Sequence, residues 1–225
     1  MNIIGITDLH GRVDSIERVG KALSEADLVV LSGDITHFGG EREAKTVIEA
    51  VLRFNGNVYA VPGNCDYPGV LAYLEGERIS LHRRSLTFED RVIAGVGGSL
   101  PCPGRTPGEF GEDQFEEFLA ELEKDVPAGR PFIFVSHQPA SGTACDLAGG
   151  RSHVGSRSIR SFIEKTRPIV CFSGHIHEAV GVDWIGDSRV VNPGPLKTES
   201  FALAVVTDRL ERLEIVRGGK TVIGP

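Results

Sequence analysis

Five times along this chain an apolar, β-branched run stops at a cluster of short polar residues: Asp8-Leu9-His10-Gly11, Gly33-Asp34, Gly63-Asn64-Cys65-Asp66, Ser136-His137 and Gly174-His175-Ile176-His177. That punctuation restricts the fold more than any other feature. The preceding runs, Ile3 to Thr7, Leu28 to Ser32, Val58 to Val61, Phe132 to Val135 and Ile169 to Phe172, read as strands. Strands that all end in polar residues belong side by side, with their carboxyl ends on one rim, where open α/β sheets collect their ligands.

The segments between support a parallel arrangement. Val13, Ile16, Val19 and Leu23 share one helical face, as do Ala44, Val47, Ile48 and Val51, so the first half reads as strand-helix-strand units. From Leu86 the pattern changes. Leu86 to Glu89 and Arg91 to Val96 read as a hairpin, and Gly97 to Gly111, with five glycines and three prolines, reads as a long loop. An acidic helix with the apolar stripe Phe115, Phe118, Leu119 and Leu122 follows. A second long loop from Gln138 to Gly155 leads to a helix near Ser156 to Lys165. The tail reads as strands Val180 to Trp184, Arg189 to Val191, Phe201 to Thr207 and Leu210 to Val216, with Trp184 expected to be a packing residue. No repeat, low-complexity tract or linker interrupts the chain, so one domain over residues 1–225 is expected.

Composition narrows the function. With 24 basic and 31 acidic residues the formal charge is −7, which argues against a nucleic-acid polymer or an anionic membrane as partner. The four cysteines, Cys65, Cys102, Cys145 and Cys171, form no C-x-x-C pair and read as free thiols. Because residues 2–7 already read as a core strand, no secretory leader is expected and the compartment is read as the cytoplasm. No apolar run approaches the roughly 18 residues of a bilayer span.

Taken singly, each polar cluster has an ordinary explanation. Asp8 could cap the helix near Val13, Gly33-Asp34 and Gly63-Asn64 suit turns, and His137 could be one more polar residue at a strand end. Taken in order, they supply carboxylate, imidazole, carboxylate, amide oxygen, imidazole and an imidazole pair. That is a donor set for two divalent cations with mixed oxygen and nitrogen shells. His175 and His177, two apart, project to the same side of an extended segment.

On these residues the chain resembles the calcineurin-like metallophosphoesterases, whose five sequence blocks occur here in order over roughly Ile3 to Pro195. The resemblance implies an α/β (α+β) four-layer α/β/β/α sandwich. It also implies that Asp8, His10 and His177 hold one ion, that Asn64, His137 and His175 hold the other, and that Asp34 bridges them. Two such ions can share a hydroxide, lower its pKa and clamp the oxygens of a small phosphate ester, so hydrolysis needs no nucleophile from the protein. Manganese is the expected metal by family practice. Iron, zinc, nickel, cobalt and magnesium are accommodated by the same donors.

One position departs from the family. Where many members carry a histidine after the asparagine ligand, this chain has Cys65, as in a small bacterial and archaeal phosphodiesterase branch with Gly-Asn-Cys-Asp. A thiol is a poor proton donor, and two nearby cations would favour the thiolate, which donates nothing. His153 in the second long loop is the expected substitute at the substrate, with His37 and Arg151 as further substrate contacts. Asp66 is expected to orient a ligand, and His82 to be structural. A phosphodiesterase follows as the leading reading. Phosphomonoester or phosphoprotein hydrolysis by the same centre, and a protein-binding scaffold of the same fold, are the alternatives.

Overall fold

Strand β1 (Asn2–Ile6) shows how the layers arise. Ile3 faces a core shared with Leu28, Val30, Ile133, Val135 and Phe172, whereas Ile4 and Ile6 face a second core with Ile16, Leu23, Ile48 and Val51. From Ile3 onward every residue of the strand is buried, so it is apolar on both faces. Strand β2 (Leu28–Ser32) divides the same way, with Leu28 and Val30 inward and Val29 and Leu31 outward. The computed structural model describes residues 1–126 and 131–224. Residues 127–130 and 225, part of the single-domain expectation, lie outside the described residues.

Helices α1 (Val13–Glu25), α2 (Glu41–Leu52) and α3 (Pro68–Gly76) cover the outer face of the first sheet. That sheet is completed by β3 (Val58–Val61) and, later in the chain, by β12 (Ser200–Val206), β13 (Leu210–Arg217) and β14 (Lys220–Ile223). Its order is β14-β13-β12-β1-β2-β3. The second sheet begins with the hairpin β4 (Arg84–Phe88) and β5 (Arg91–Val96) and continues through β6 (Phe132–Ser136), β9 (Val170–Phe172), β10 (Gly181–Ile185) and β11 (Ser188–Asn192). Its order is β10-β11-β9-β6-β5-β4. Between β6 and β9 lies a small hairpin, β7 (Leu147–Ala148) and β8 (Ser152–His153). Helices α4 (Glu112–Leu122) and α5 (Arg157–Thr166) pack on the outer face of the second sheet, against Phe132, Phe134 and Ala94. Three apolar cores among the described residues therefore separate four layers, helices, sheet, sheet and helices, as the family resemblance implied.

β1, β2 and β3 run parallel, as do β5, β6, β9 and β11. All five polar clusters accordingly emerge at carboxyl ends of strands of the two facing sheets. Helix α3 and strands β14, β7 and β8 were not anticipated. Trp184 is not a packing residue. It is 56% exposed, and the Arg189 guanidinium lies 4.2 Å from its ring centre. Among the described residues, no helix is long and apolar enough to cross a membrane.

Candidate metal centre

The clusters meet because the backbone around them is forced. Asp8, His10, Asp34 and His175 all have positive φ, between 46° and 68°. Non-glycine residues adopt this conformation at a cost of order 1–3 kcal/mol each, and it concentrates at functional sites. Two glycines permit the close approach. A Cβ on Gly63 would run into the amide nitrogen and carboxylate of Asp34, and one on Gly174 would strike Thr7 Oγ1 and approach Asp8 Oδ2. Asp8 does not cap α1, whose N-cap is Arg12 without a side-chain bond.

On one side of the site, Asp8 Oδ1 lies 3.1 Å from His177 Nε2, and that nitrogen is 3.3 Å from His10 Nε2. The second Asp8 oxygen accepts from Thr7 Oγ1 at 2.9 Å and from the His175 amide at 3.2 Å. The hydrogen bond that His177 donates to the Asp8 carboxylate raises the His177 pKa, whereas burial lowers that of His10. On the other side, His137 is fully buried, and its Nε2 lies 2.9 Å from Asn64 Oδ1. The His175 ring sits beside it, with centres 5.1 Å apart. Burial, then the neighbouring His137, lowers the His175 pKa to about 4, which keeps that ring neutral and its lone pair available near neutral pH. Asp34 lies between the two sides. Its Oδ2 faces His10 Nε2 at 3.7 Å, and its Oδ1 faces His137 Nε2 at 3.4 Å.

These residues fit cations. His137 Nδ1 stands 2.7 Å from the Ser32 carbonyl, which only accepts, so Nδ1 carries the ring proton and a neutral His137 presents a lone pair at Nε2. That lone pair faces the amide oxygen of Asn64, another acceptor. With the ring neutral, a cation beside them would satisfy two acceptors that stand 2.9 Å apart. His10 and His177 likewise face each other through ring nitrogens, and His10 Nδ1 is buried with no partner among the described residues. Among the described residues, three groupings bring candidate ligand atoms within 4.8 Å of one another: Asp8, His10 and His177; Asp8, Asp34 and His137; and His10, Asp34 and Cys65.

The last grouping was not foreseen. Cys65 stands inside the cluster, with its amide donating to Asp34 Oδ1 at 2.9 Å. Burial, then the Asp34 carboxylate, push its thiol pKa up, so the protein's own groups favour the protonated form against the pull of cations. Asp66 touches no ligand side chain. It accepts from the amides of Ile35, Thr36 and Gly63 and from the Thr36 hydroxyl, which ties the loop after Asp34 to the loop before Asn64. Burial, then Asp34, raise its pKa to about 6.

His37 is exposed and packs edge-on to His10, with ring centres 5.5 Å apart. His153 is half-exposed on β8 and outside the ligand groupings; its Nδ1 lies 2.6 Å from Asp146 Oδ1. Its hairpin is nonetheless tied to the rim, because Gln138 donates to the Val154 carbonyl at 2.9 Å and the Gly149 amide donates to Glu178 at 3.0 Å. Arg151 is exposed in the turn of that hairpin. His82 is structural. Its Nδ1 accepts the Gly97 amide at 2.9 Å, its ring stacks on Phe110, and burial, then Arg83, lower its pKa to about 4.

Comparison with known proteins places this geometry. The family model described as calcineurin-like phosphoesterase matches residues 1–179, which include every residue of the cluster. The protein MJ1162 of Methanocaldococcus jannaschii is 38% identical over 201 residues, 87% of this chain and 88% of that protein. The 3',5'-cyclic adenosine monophosphate phosphodiesterase CpdA of Escherichia coli K12 is 24% identical over 199 residues, 85% of this chain and 69% of its own. The crystal structure of TT1561 of Thermus thermophilus superimposes with a TM-score of 0.77 at 20% identity, covering 96% of this chain and 98% of that one, a likeness of fold. The chain belongs to the calcineurin-like phosphoesterase family and is a metal-dependent hydrolase of phosphoric esters.

Proposed function

We propose that the protein is a two-metal phosphodiesterase acting on a small phosphate diester, with residues 1–225 as one domain. Asp8, His10 and His177 would hold one ion and Asn64, His137 and His175 the other, with Asp34 between the two groups. The observation that carries this reading is the pair of facing acceptors, His137 Nε2 and Asn64 Oδ1, beside a carboxylate whose two oxygens point to opposite sides of the site. When bound, two divalent cations supply an acidified water as the attacking group and Lewis acidity toward the phosphate oxygens.

The chain's own residues do the rest. Thr7 and the His175 amide hold Asp8, Ser32 fixes the tautomer of His137, and Asp66 locks the two loops that carry Asp34 and Asn64. Substrate approaches from the side of His10 and His177, whose rings are partly exposed, because His137 is closed off. Cys65, as a neutral thiol, protonates a leaving alkoxide poorly, which favours esters with good leaving groups. His153 is the second group proposed to meet substrate. Asp146 is buried and also accepts from the amides of Thr143 and Gly155, so His153 Nδ1 is the donor and its Nε2 is left free to take part. The charge of −7 and the similarity to CpdA support a small diester over a polymer. Manganese is the proposed metal, and the cytoplasm the proposed compartment.

The test is turnover of an activated aryl phosphodiester by metal-stripped protein after adding back manganese, nickel, zinc or magnesium, beside Asp34→Asn. Metal-dependent turnover absent from the variant is expected. Faster turnover of the matching monoester would replace this reading by a phosphomonoesterase, and two bound ions without turnover of either ester would replace it by a scaffold.

A further inference from the structure

The loop from Gly97 to Gly111 lies against the Asn64 strand end. Its Gly108 amide donates to the Asn64 carbonyl at 2.9 Å, and a Cβ on Gly108 would sit 2.7 Å from the Gly63 oxygen and 3.0 Å from Asn64 Cα. Ser99 and Gly108, and Phe110 and Ser99, pair through the backbone and close the loop on itself. A chain of side-chain bonds runs from this loop to the ligand: Asn64 Nδ2 donates to Thr106 Oγ1 at 3.0 Å, and Thr106 Oγ1 donates to Glu109 Oε1 at 2.8 Å. The same Glu109 oxygen accepts the Thr106 amide at 2.6 Å and the Cys102 thiol at 3.0 Å. Burial opposes ionisation of Glu109, but these bonds bring its pKa down to about 2, and an ionised carboxylate only accepts.

Counting protons fixes the direction of the whole chain. Thr106 has one hydroxyl proton, and Glu109 takes it, so toward Asn64 the hydroxyl can only accept. The Asn64 amide must therefore present its NH2 to Thr106 and its oxygen to His137. The flipped amide would make a good hydrogen bond to the His137 lone pair. It would also place two acceptors face to face at Thr106. We infer that Thr106 and Glu109 are positioning residues that keep the Asn64 amide from turning over to satisfy His137, and so hold both acceptors open for a cation. The inference rests on the ligand assignment proposed above. It explains why the two acceptors stay unsatisfied by each other in a site where an alternative hydrogen bond is one rotation away.

The experiment is calorimetric titration of metal-stripped protein with manganese, comparing wild type with Thr106→Val, Thr106→Ser and Glu109→Ala. Valine keeps the shape and removes the acceptor, which frees the amide to flip. One of the two ions is expected to bind about 10–100-fold more weakly in Thr106→Val, the range for loss of a partner that orients a ligand, while the other is unchanged. Thr106→Ser should bind both ions as wild type does, and Glu109→Ala should fall between, because its threonine proton is free to turn. Two wild-type affinities in Thr106→Val, or the same loss in Thr106→Ser as in Thr106→Val, would overturn the inference. A wild-type protein that binds fewer than two ions would overturn the ligand assignment itself, together with this inference, and the wild-type titration reports that separately.

Discussion

The two halves of the centre are built differently. Around Asn64 and His137 the polar groups are buried and tied to protein: the ring to Ser32, the asparagine to Thr106, the loops to Asp66. Around His10 and His177 the rings are partly exposed, they face each other, and one buried nitrogen has no partner among the described residues. The closed half is held by the protein's own hydrogen bonds, whereas the open half is the one in contact with solvent. Geometry of the first kind costs folding free energy when disturbed, and geometry of the second kind costs mainly function.

Asp34 belongs to both halves, so its loss should be the largest effect. Asp34→Asn is expected to lower metal-dependent turnover about 1000-fold, since transition-state stabilisation by the ions is worth several kcal/mol. A loss under about tenfold would remove its bridging role. The comparison itself is put at risk by a pair of substitutions measured by urea unfolding without metal. His137→Ala should destabilise by about 3 kcal/mol, through a buried cavity and the loss of one of the two hydrogen bonds to the Ser32 carbonyl, and His177→Ala by less than about 1 kcal/mol. Equal losses would mean that the halves do not differ.

Acid should act on the support of the closed half. His82 holds the base of the Gly97 loop as a neutral acceptor, with a folded pKa near 4 against 6.5 for an ordinary histidine. The unfolded chain takes up the proton first, so the stability tied to neutral His82 is intact above about pH 6.5 and is lost as the pH falls toward about 4, by about 1 to 3 kcal/mol. Asp66, raised to about 6, tilts the profile the other way, so the quantity to measure is the difference between wild type and His82→Asn across that window. Identical profiles would show that His82 does not carry the effect. The smallest change concerns Cys65. Cys65→His should raise turnover of alkyl esters about tenfold and leave activated aryl diesters nearly unchanged. An unchanged selectivity would sever leaving-group preference from this thiol.

Much of this was legible in the sequence because period and punctuation are local. The strands through Phe172 and the stripe of Phe115, Phe118, Leu119 and Leu122 follow from side-chain periodicity alone. Helix α3 escaped because its nine residues bury only Val70 and Leu74, and Pro68 at its start was its one signal. Strand β14 escaped because its residues are mostly exposed and its partner is a neighbouring hairpin strand. In the site, residue types pointed to the cluster of candidate ligands, but contacts between distant segments could not be read from them. Nothing marks Thr106 as a neighbour of Asn64 across 42 positions. Trp184 was misjudged because an indole suits a core and an arginine-covered surface equally.

The left-handed backbone at Asp8, His10, Asp34 and His175 has a consequence for inheritance. At each of these positions glycine would relieve a local backbone cost of order 1–3 kcal/mol, while removing a candidate metal donor and, at Asp8 and Asp34, a buried hydrogen-bond acceptor. A lineage that dropped the proposed reaction would lose its reason to keep four strained side chains together, and substitutions at these four places are where that loss should show.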